Sequence, residues 1–403
     1  MKKLTIALLF GGKSVEHEIS VISALQAAAA LDREKYDPLP IYITKQNDFY
    51  IGGEIGRIEA YRDIPALLSK SQRVVLVRDG AKVTALRQPA RAFGRQVLAE
   101  IDAVFPIVHG SNAEDGALQG FLRLLDVPFV GCDVTASAIG MDKYAQKMIF
   151  RDHQIPVLDC LCLRARKYDA DPDAALALLE KRFGYPLIVK PANLGSSVGI
   201  SKAGESASLR RALDLAFRFA ERVLVEPAVQ NLREINCAVL GDADEARVSV
   251  CEEPLNADEI LSYENKYMGG GKNGKTSKLG QRAEGSKGMA SLERKIPAEL
   301  TPEQEARVKD YALRAFQAIE ASGVSRVDFL MDRESGEIWL NEINTIPGSL
   351  SFYLWEPAGL PYPQLLEELI RLAFKRRRSQ EDLVFSFETN VLANAEFGGA
   401  SKC

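Results

Sequence analysis

Short apolar runs alternate with helical patterns in the first third of the chain. Residues 4–10 and 103–108 are apolar enough for buried strands, whereas residues 20–31 and 118–125 repeat their apolar positions at helical spacing. Such alternation is typical of an α/β unit with a largely parallel sheet. We therefore predict an N-terminal α/β domain over residues 1–132.

The rest of the chain predicts two more units, in which short strands are separated by Gly-rich turns. The first covers residues 133–229 and the second covers residues 230–378. In the second unit, a helical pattern at 302–322 precedes two apolar strands that flank a turn at 332–336. Residues 379–403 form a C-terminal extension to which we assign no role.

Residues 268–290 differ in composition from their surroundings. They contain seven glycines, five Lys or Arg, and one acidic residue. Such a segment buries too little apolar surface to offset the entropy lost on ordering, so we predict a mobile loop. Its position beside candidate site residues is compatible with a lid as well as with a linker.

The composition excludes several classes of protein. With 403 residues, 46% of them hydrophobic, the chain is long enough for two or three packed domains. A net charge of −4 argues against a nucleic-acid binder, because such proteins carry an excess of Lys and Arg. No stretch approaches the roughly 20 apolar residues of a membrane span, and residues 4–10 lack a signal-peptide cleavage site. We therefore expect a cytoplasmic protein that binds neither nucleic acid nor membrane.

A lysine followed by a turn of small residues lies at 189–199, in the run VKPANLGSSVG. Glycines let backbone N–H groups approach phosphate oxygens closely, and Lys190 adds a positive charge. The order differs from that of a Walker loop, in which the lysine follows the glycines. Because solvent-facing lysines before tight turns are common, this run alone is a weak sign of phosphate binding.

The runs RVD and NEIN predict a hairpin that gathers oxygen ligands. If the turn centres near Ser335, Asp328 and Glu342 lie on neighbouring strands, and Asn344 shares the face of Glu342. Two facing carboxylates repel unless a cation lies between them, although a solvated acidic face is the alternative. Six cysteines and three histidines show no paired metal-ligand spacing, so oxygen ligation of magnesium is the favoured chemistry.

Three other turns carry candidate residues. Gly348 and Arg326 suit an oxyanion site near the hairpin, and the alternative is a plain turn that ends a strand. Glu16 suits a substrate ammonium about as well as it suits the N-terminus of the following helix. The glycine turn before Glu16 lacks the third glycine of a dinucleotide-binding fingerprint. His109, beside Glu114, is either a site residue at a strand end or a satisfied core histidine.

Several unrelated motifs occur together in one order. They are GGKSVEHEIS, FPIVHGSNAEDGALQG, MDKYAQK, VKPANLGSSVG, YENKY, RVDF and NEINTIPG. In this combination the chain resembles the D-alanine–D-alanine ligases of the ATP-grasp superfamily, over residues 3–375. The resemblance implies an α/β fold in which an N-terminal parallel-sheet substrate domain precedes a two-lobed ATP-grasp domain of α+β type. It also implies a homodimer.

The resemblance implies roles for individual residues. It implies ATP-binding residues: Lys143 and Lys190 at the phosphates, Glu226 at adenine, Glu234 at ribose, and Ser197. It implies ligands for two Mg²⁺ ions, with Mn²⁺ as an alternative: Asp328, Glu342 and Asn344. It implies catalytic residues: Glu16, Ser196, Lys266, Tyr267, Arg326 and Gly348. It implies substrate contacts: His109, Ser349 and Tyr353. Glu16 would bind the ammonium of the first D-alanine and connect through Ser196 to Tyr267.

The chain departs from the family pattern in three places. Ala113 stands where a glycine is usual, and the loop after Tyr267 is longer and more basic than usual. Where many members use a serine to hold the carboxylate of the second substrate, this chain has Tyr353. Tyr353 itself, Ser349 or Ser351 are the candidate replacements.

The activity that the resemblance implies is ATP-dependent joining of two D-alanines through an acyl phosphate, for peptidoglycan precursors. D-lactate or D-serine as the second substrate is the closest alternative. A non-catalytic ATP-binding regulator and an NAD-dependent oxidoreductase are alternatives of other classes. The metal triad argues against the regulator, and the incomplete dinucleotide fingerprint argues against the oxidoreductase.

Overall fold

The computed structural model describes residues 2–80, 82–195, 198–255 and 294–384. The strands are β1 (Leu4–Gly11), β2 (Tyr36–Ile43), β3 (Phe49–Ile51), β4 (Gln72–Asp79), β5 (Lys82–Arg87), β6 (Val97–Ile101), β7 (Ala103–Pro106), β8 (Leu161–Arg164), β9 (Leu187–Pro191), β10 (Ser201–Ala203), β11 (Arg222–Pro227), β12 (Leu232–Gly241), β13 (Ala246–Pro254), β14 (Arg294–Lys295), β15 (Gly323–Asp332) and β16 (Ile338–Asn344). The helices are α1 (His17–Ala30), α2 (Ile64–Ser69), α3 (Ala117–Leu124), α4 (Val134–Met141), α5 (Lys143–Asp152), α6 (Ala165–Ala170), α7 (Pro172–Phe183), α8 (Ser206–Phe217), α9 (Pro302–Ala318), α10 (Phe352–Trp355) and α11 (Tyr362–Glu381), with 3-10 turns at Ile58–Arg62 and Gly348–Ser351.

The N-terminal sheet combines a parallel core with an antiparallel extension. Its strands lie in the order β6-β5-β4-β3-β2-β1-β7. β1 pairs in parallel with β2 and β7, whereas every neighbouring pair from β2 to β6 is antiparallel. The predicted parallel unit is therefore confirmed for β1, β2 and β7. The pairs from β2 to β6 are antiparallel because their short connections cannot make the long crossovers that parallel strands need. The sequence did not predict this part of the sheet.

The central lobe is a small antiparallel sheet in the order β10-β9-β11-β8. Helices α7 and α8 cover it, and Leu179, Leu209 and Leu213 pack against Val189 and Val223 in one buried cluster. β9 carries Lys190 and β11 carries Glu226, so this lobe holds two of the implied ATP residues on adjacent strands.

The C-terminal lobe is an antiparallel sheet in the order β14-β13-β12-β15-β16. Helix α9 packs on one face, and Thr301 caps its first turn by accepting from the backbone N–H of Gln304 at 3.2 Å. The turn between β15 and β16 is closed by the carboxylate of Asp332, which accepts from the N–H groups of Glu334 and Ser335. The predicted hairpin is confirmed, with Asp328 directly opposite Glu342.

The C-terminal helix belongs to the core of the N-terminal domain. Leu365, Leu366 and Leu369 of α11 lie in the same buried cluster as Ile6 and Leu8 of β1. Two elements far apart in the sequence, β1 and α11, are therefore packed together. Among the described residues, no helix is both long and apolar enough to cross a bilayer.

Candidate active site

One face of the C-terminal sheet carries a row of polar side chains. Glu252 on β13 pairs with Asn236 on β12, and Asn236 pairs in turn with Asp328 on β15. Asp328 is opposite Glu342 on β16. Because neighbouring strands lie about 4.8 Å apart, the row places two carboxylates side by side and a third two strands away.

Arg326 and Asp328 lie two residues apart on β15 and point to the same face of the sheet. Nε and Nη2 of Arg326 donate to the two carboxylate oxygens of Asp328, each at 2.7 Å. The amide Nδ2 of Asn344 donates to Oδ2 of Asp328 at 3.1 Å. Burial raises the pKa of Asp328, against the opposing effect of the Arg326 charge. The bidentate pair fixes the guanidinium in one orientation.

Lys143 faces the other carboxylate of the hairpin. It lies in the first turn of α5, whose N-cap Asp142 accepts from the N–H groups of Tyr144 and Ala145. Its Nζ lies 2.9 Å from Oε2 of Glu342 and donates to the carbonyl of Leu194 at 2.8 Å. Although burial alone would raise it, the charge of Lys143 lowers the pKa of Glu342 to about 2. Glu342 is therefore ionised at neutral pH.

Two buried lysines share the carboxylate of Glu226. Nζ of Lys190 lies 2.5 Å from Oε1, and Nζ of Lys147 lies 2.9 Å from Oε2. All three side chains are at most 4% exposed. Burial lowers the pKa of Lys190, and its Nζ also donates to Oδ1 of Asn341 at 3.0 Å. Two cations around one anion leave local positive charge, which suits a phosphate-bearing ligand.

The residues of the hairpin fit a magnesium ion by their chemistry. Asp328 and Glu342 are adjacent carboxylates and Asn344 offers an amide oxygen, which is an all-oxygen set. The described part of the chain holds no cluster of three or more His, Cys, Asp or Glu placed for a metal. Phosphate oxygens would have to complete the coordination shell, as they do in nucleotide sites. Without an ion, Arg326 and Lys143 supply the counter-charges.

Glu16 occupies the N-cap position of α1, but its side chain lies between two glycine loops. Its side chain makes no capping hydrogen bond to α1. A Cβ added at Gly110 or Gly195 would lie 3.1 Å or 3.0 Å from Oε2 of Glu16. The fold thus brings this carboxylate against Gly110 and Gly195, and no hydrogen bond of the side chain supports the capping interpretation.

His109 lies in a buried network between the N-terminal domain and the turn after β16. Its Nδ1 bonds the carbonyl of Ile346 at 2.8 Å, and its Nε2 bonds Oγ of Ser23 at 3.1 Å. Ser23 Oγ also accepts from the N–H of Ser349 at 3.0 Å. Burial lowers the pKa of His109, so the ring is neutral and its Nδ1 carries the proton. Both nitrogens therefore have partners within the protein.

Glu114 holds the same turn from the other side. Its Oε1 accepts from the N–H of Ile346 at 3.0 Å, and its Oε2 accepts from the N–H of Gly110 at 2.7 Å. Burial, reinforced by the charge of Glu16, raises the pKa of Glu114 to about 8. With His109 on its carbonyl and Glu114 on its N–H, the Ile346 residue is held by the N-terminal domain at both polar atoms.

Gly348 begins a turn with unusual backbone angles. Ser349, Leu350 and Ser351 have φ values of 51°, 53° and 50°, in the left-handed region that side chains rarely adopt. Such strain persists only where the surroundings enforce it. Here Oγ of Ser23 accepts from the backbone N–H of Ser349, and the side chain of Gln26 accepts from the hydroxyl of Ser349 at 2.9 Å.

Four predicted site residues fall outside the described residues: Ser196, Ser197, Lys266 and Tyr267. The loop 268–290 also lies outside them. Glu234 lies on β12, two residues before Asn236 and therefore on the face of the polar row. Tyr353 lies in α10, and its hydroxyl is 3.4 Å from Oε1 of Glu252.

Two family models match the chain, and together they span most of it. The model described as D-ala D-ala ligase N-terminus matches residues 5–132, and the one described as D-ala D-ala ligase C-terminus matches residues 149–371. The chain belongs to the D-alanine–D-alanine ligase family.

Family members of known sequence align over nearly the whole chain. The D-alanine–D-alanine ligase of Acetivibrio thermocellus is 38% identical over 385 residues, covering 93% of this chain and 96% of that protein. That of Caldicellulosiruptor bescii is 39% identical over 392 residues, covering 96% and 100%.

Solved structures of the family share the fold. The D-alanine–D-alanine ligase of Coxiella burnetii superposes with a TM-score of 0.75 at 31% identity, covering 94% of this chain and 97% of that one. The VanG D-Ala:D-Ser ligase of Enterococcus faecalis gives 0.74 at 31% identity, covering 92% and 100%. These neighbours confirm the predicted ATP-grasp architecture.

The sequence analysis did not predict several residues of the site. Lys147 lies in the MDKYAQK motif, four residues after Lys143 and hence on the same helical face, which is the signal that points to it. Glu252 and Arg294 carried no such signal, because they meet only through the pairing of β13 with β14.

Proposed function

We propose that this protein uses ATP to join two D-alanine molecules into D-alanyl-D-alanine, a precursor of peptidoglycan. The observation that carries the proposal is the paired arrangement of lysines and carboxylates. Lys143 contacts Glu342, and Lys190 lies beside Glu226 on the facing lobe. Positive charge for phosphates and oxygen ligands for a divalent cation thus face one another.

In the first step, the carboxylate of one D-alanine attacks the γ-phosphorus of ATP. The bond from the γ-phosphorus to the β,γ-bridging oxygen breaks, ADP leaves, and a D-alanyl phosphate forms. Lys143 and Lys190 hold phosphate oxygens and neutralise their charge. Asp328, Glu342 and Asn344 would hold Mg²⁺, which supplies further neutralisation of the phosphates when it is bound. Glu16 receives the ammonium of this D-alanine.

In the second step, the amine of the other D-alanine attacks the carbonyl carbon of the acyl phosphate. A tetrahedral intermediate forms, loses the amine proton and expels inorganic phosphate. Arg326, fixed by its two bonds to Asp328, faces the developing oxyanion together with the backbone N–H of Gly348. The hydrogen bonds of His109 and Glu114 to Ile346 hold this turn beside Arg326.

One experiment tests the proposal directly. Purified protein is incubated with ATP, Mg²⁺ and D-alanine, alone or with D-lactate or D-serine, and the products are identified by mass. We expect D-alanyl-D-alanine and one ADP for each dipeptide. D-serine is included because the fold superposes on a D-Ala:D-Ser ligase and because Tyr353 alters the second subsite. If ATP binds but no product forms, the non-catalytic regulator becomes the better interpretation.

A homodimer in the cytoplasm is part of the same proposal and rests on the family resemblance. Sedimentation equilibrium of the full chain, with and without ATP, tests the oligomeric state. A monomer at micromolar concentration would contradict it.

A further inference from the structure

A buried charged cluster lies beside the proposed reaction centre. We call it the Glu252 cluster, and it consists of Glu252, Arg294 and Tyr353. Nη1 of Arg294 lies 2.5 Å from Oε2 of Glu252, and their side chains are 9% and 1% exposed. The guanidinium lies over the ring of Tyr353, 4.3 Å from its centroid. Asn236 donates to Oε1 of Glu252 at 3.2 Å.

The position of the Glu252 cluster follows from the polar row across the C-terminal sheet. Along this row, Glu342 and its lysine lie on one side of Asp328, whereas Glu252 lies on the other side, beyond Asn236. Tyr353 belongs to the helix that follows the Gly348 turn directly. The cluster therefore borders Arg326 on the side away from the phosphate-binding lysines.

This side is where the second substrate must approach. In the tetrahedral intermediate, the leaving phosphate and the incoming amine are separate substituents of one carbon. The phosphate is drawn to Lys143 and Lys190, and the oxyanion faces Arg326. The Cα of the first D-alanine lies toward Glu16, which receives its ammonium, so the acceptor occupies the fourth side. That side is lined by the Glu252 cluster.

The acceptor brings a carboxylate that needs a positively charged partner. Of the three candidate hydroxyls, that of Ser349 donates to Gln26 and that of Tyr353 faces Glu252. The hydroxyl of Ser351 is buried and has no hydrogen-bond partner among the described residues, but it carries no charge to balance a carboxylate. Arg294 provides the cation. A guanidinium has five N–H donors in a planar fork, so it can hold a substrate carboxylate while Nη1 stays on Glu252.

We propose that Arg294, oriented by Glu252 and Tyr353, binds the carboxylate of the second amino acid and thereby sets the selectivity of the acceptor subsite. This inference rests on the proposed dipeptide synthesis. It assigns the acceptor contact to an arginine supplied by β14 rather than to a hydroxyl in the turn after β16.

The test compares two acceptors in the full-length protein. D-alaninamide lacks the carboxylate, so it cannot be phosphorylated and can act only as the second substrate. The variants are R294Q, which removes the charge, and R294K, which keeps the charge but loses the fork. The matched control is R233Q, because Arg233 of β12 forms an ion pair with Glu253 of β13, the strand that also carries Glu252, at 15% and 10% exposure.

In the parent, we expect D-alanine to be preferred over D-alaninamide as acceptor by roughly 10- to 100-fold in kcat/KM, as for one charge-assisted contact. R294Q should remove this preference and raise the acceptor KM for D-alanine by a similar factor. R294K should raise the acceptor KM roughly threefold to tenfold. R233Q should keep the preference of the parent.

Phosphoryl transfer in the first step provides the control readout, because a merely structural defect would impair it as well. D-alanine-dependent positional isotope exchange within ATP reports phosphoryl transfer before the acceptor binds, and it should be unchanged in R294K and R294Q. Equal loss of exchange and of ligation in both variants would overturn the inference, as would an unchanged acceptor preference in either. If R294Q does not fold, R294K decides by the same two measurements. A parent that makes no D-alanyl-D-alanine would instead refute the proposed function itself.

Discussion

Replacing Glu226 by glutamine removes one buried charge between two buried ammonium groups while keeping the shape of the side chain. The nitrogen–oxygen distances are 2.5 Å to Lys190 and 2.9 Å to Lys147. At an effective dielectric constant of about 20, each attraction is worth about 6 kcal/mol. Desolvation of the three groups offsets most of this, and removing one partner of a buried ion pair typically costs about 3 to 5 kcal/mol.

We therefore expect E226Q, without nucleotide, to lose about 3 to 5 kcal/mol of unfolding free energy, or roughly 4–6 °C in Tm for a chain of this length. Guanidinium-induced unfolding at pH 7 measures the loss. The matched control is E368Q, because Glu368 pairs with Arg247 at 27% and 52% exposure, where an ion pair contributes at most about 1 kcal/mol. If E226Q loses no more stability than E368Q, the buried charge balance assigned to Glu226 is wrong.

The pH dependence gives a second check on the same carboxylate. Although burial would raise it, the charges of Lys147 and Lys190 lower the pKa of Glu226 below its ordinary value of 4.5. A carboxylate with a lowered folded pKa contributes stability above its unfolded pKa, and this contribution is lost as the pH falls through the folded pKa. The difference between parent and E226Q should thus be complete at pH 7 and shrink below pH 4.5. A difference that grows with acidity would refute the assignment.

Three further outcomes are expected. E342Q should abolish ADP formation while its circular dichroism matches that of the parent, because it removes a charged oxygen ligand; normal ADP release with D-alanine would exclude the metal role. EDTA should stop ligation, and excess Mg²⁺ or Mn²⁺ should restore it, whereas activity that persists in EDTA would remove the need for a divalent cation. S23A should lose about 1–3 kcal/mol of unfolding free energy, because it leaves the N–H of Ser349 and Nε2 of His109 buried without their partner. S69A, which removes an exposed hydroxyl bond, is its control and should match the parent.

The hairpin was predictable from sequence because its geometry is local. A turn with Asp332 and Gly336 sets the register, and counting outward places Asp328 opposite Glu342. The capping alternative for Glu16 was also a local prediction, and it found no support because the side chain packs against Gly110 and Gly195 instead. Local spacing ranks candidates, but it does not decide between a cap and a contact across domains.

The contacts that sequence did not reveal join residues far apart in the chain. Tyr353 is 101 residues from Glu252, and Arg294 is 42 residues from it. Nothing in the spacing of these residues signals a cluster, since it depends on the pairing of β13 with β14 and on the entry angle of α10. The antiparallel half of the N-terminal sheet was missed for a related reason, because apolar runs do not state the direction of their pairing.

The packing of α11 against β1 has a consequence for biosynthesis. The apolar face of the N-terminal domain is completed by Leu365, Leu366 and Leu369, which the ribosome adds long after residues 1–132. At about 5–20 residues per second, the first domain waits roughly 12–50 s for these side chains after its own residues are made. During that interval its apolar face has no native cover. The nascent chain therefore needs either a transient partner for that face or a slow rate of misassociation, and the first domain completes its folding only after α11 has been synthesised.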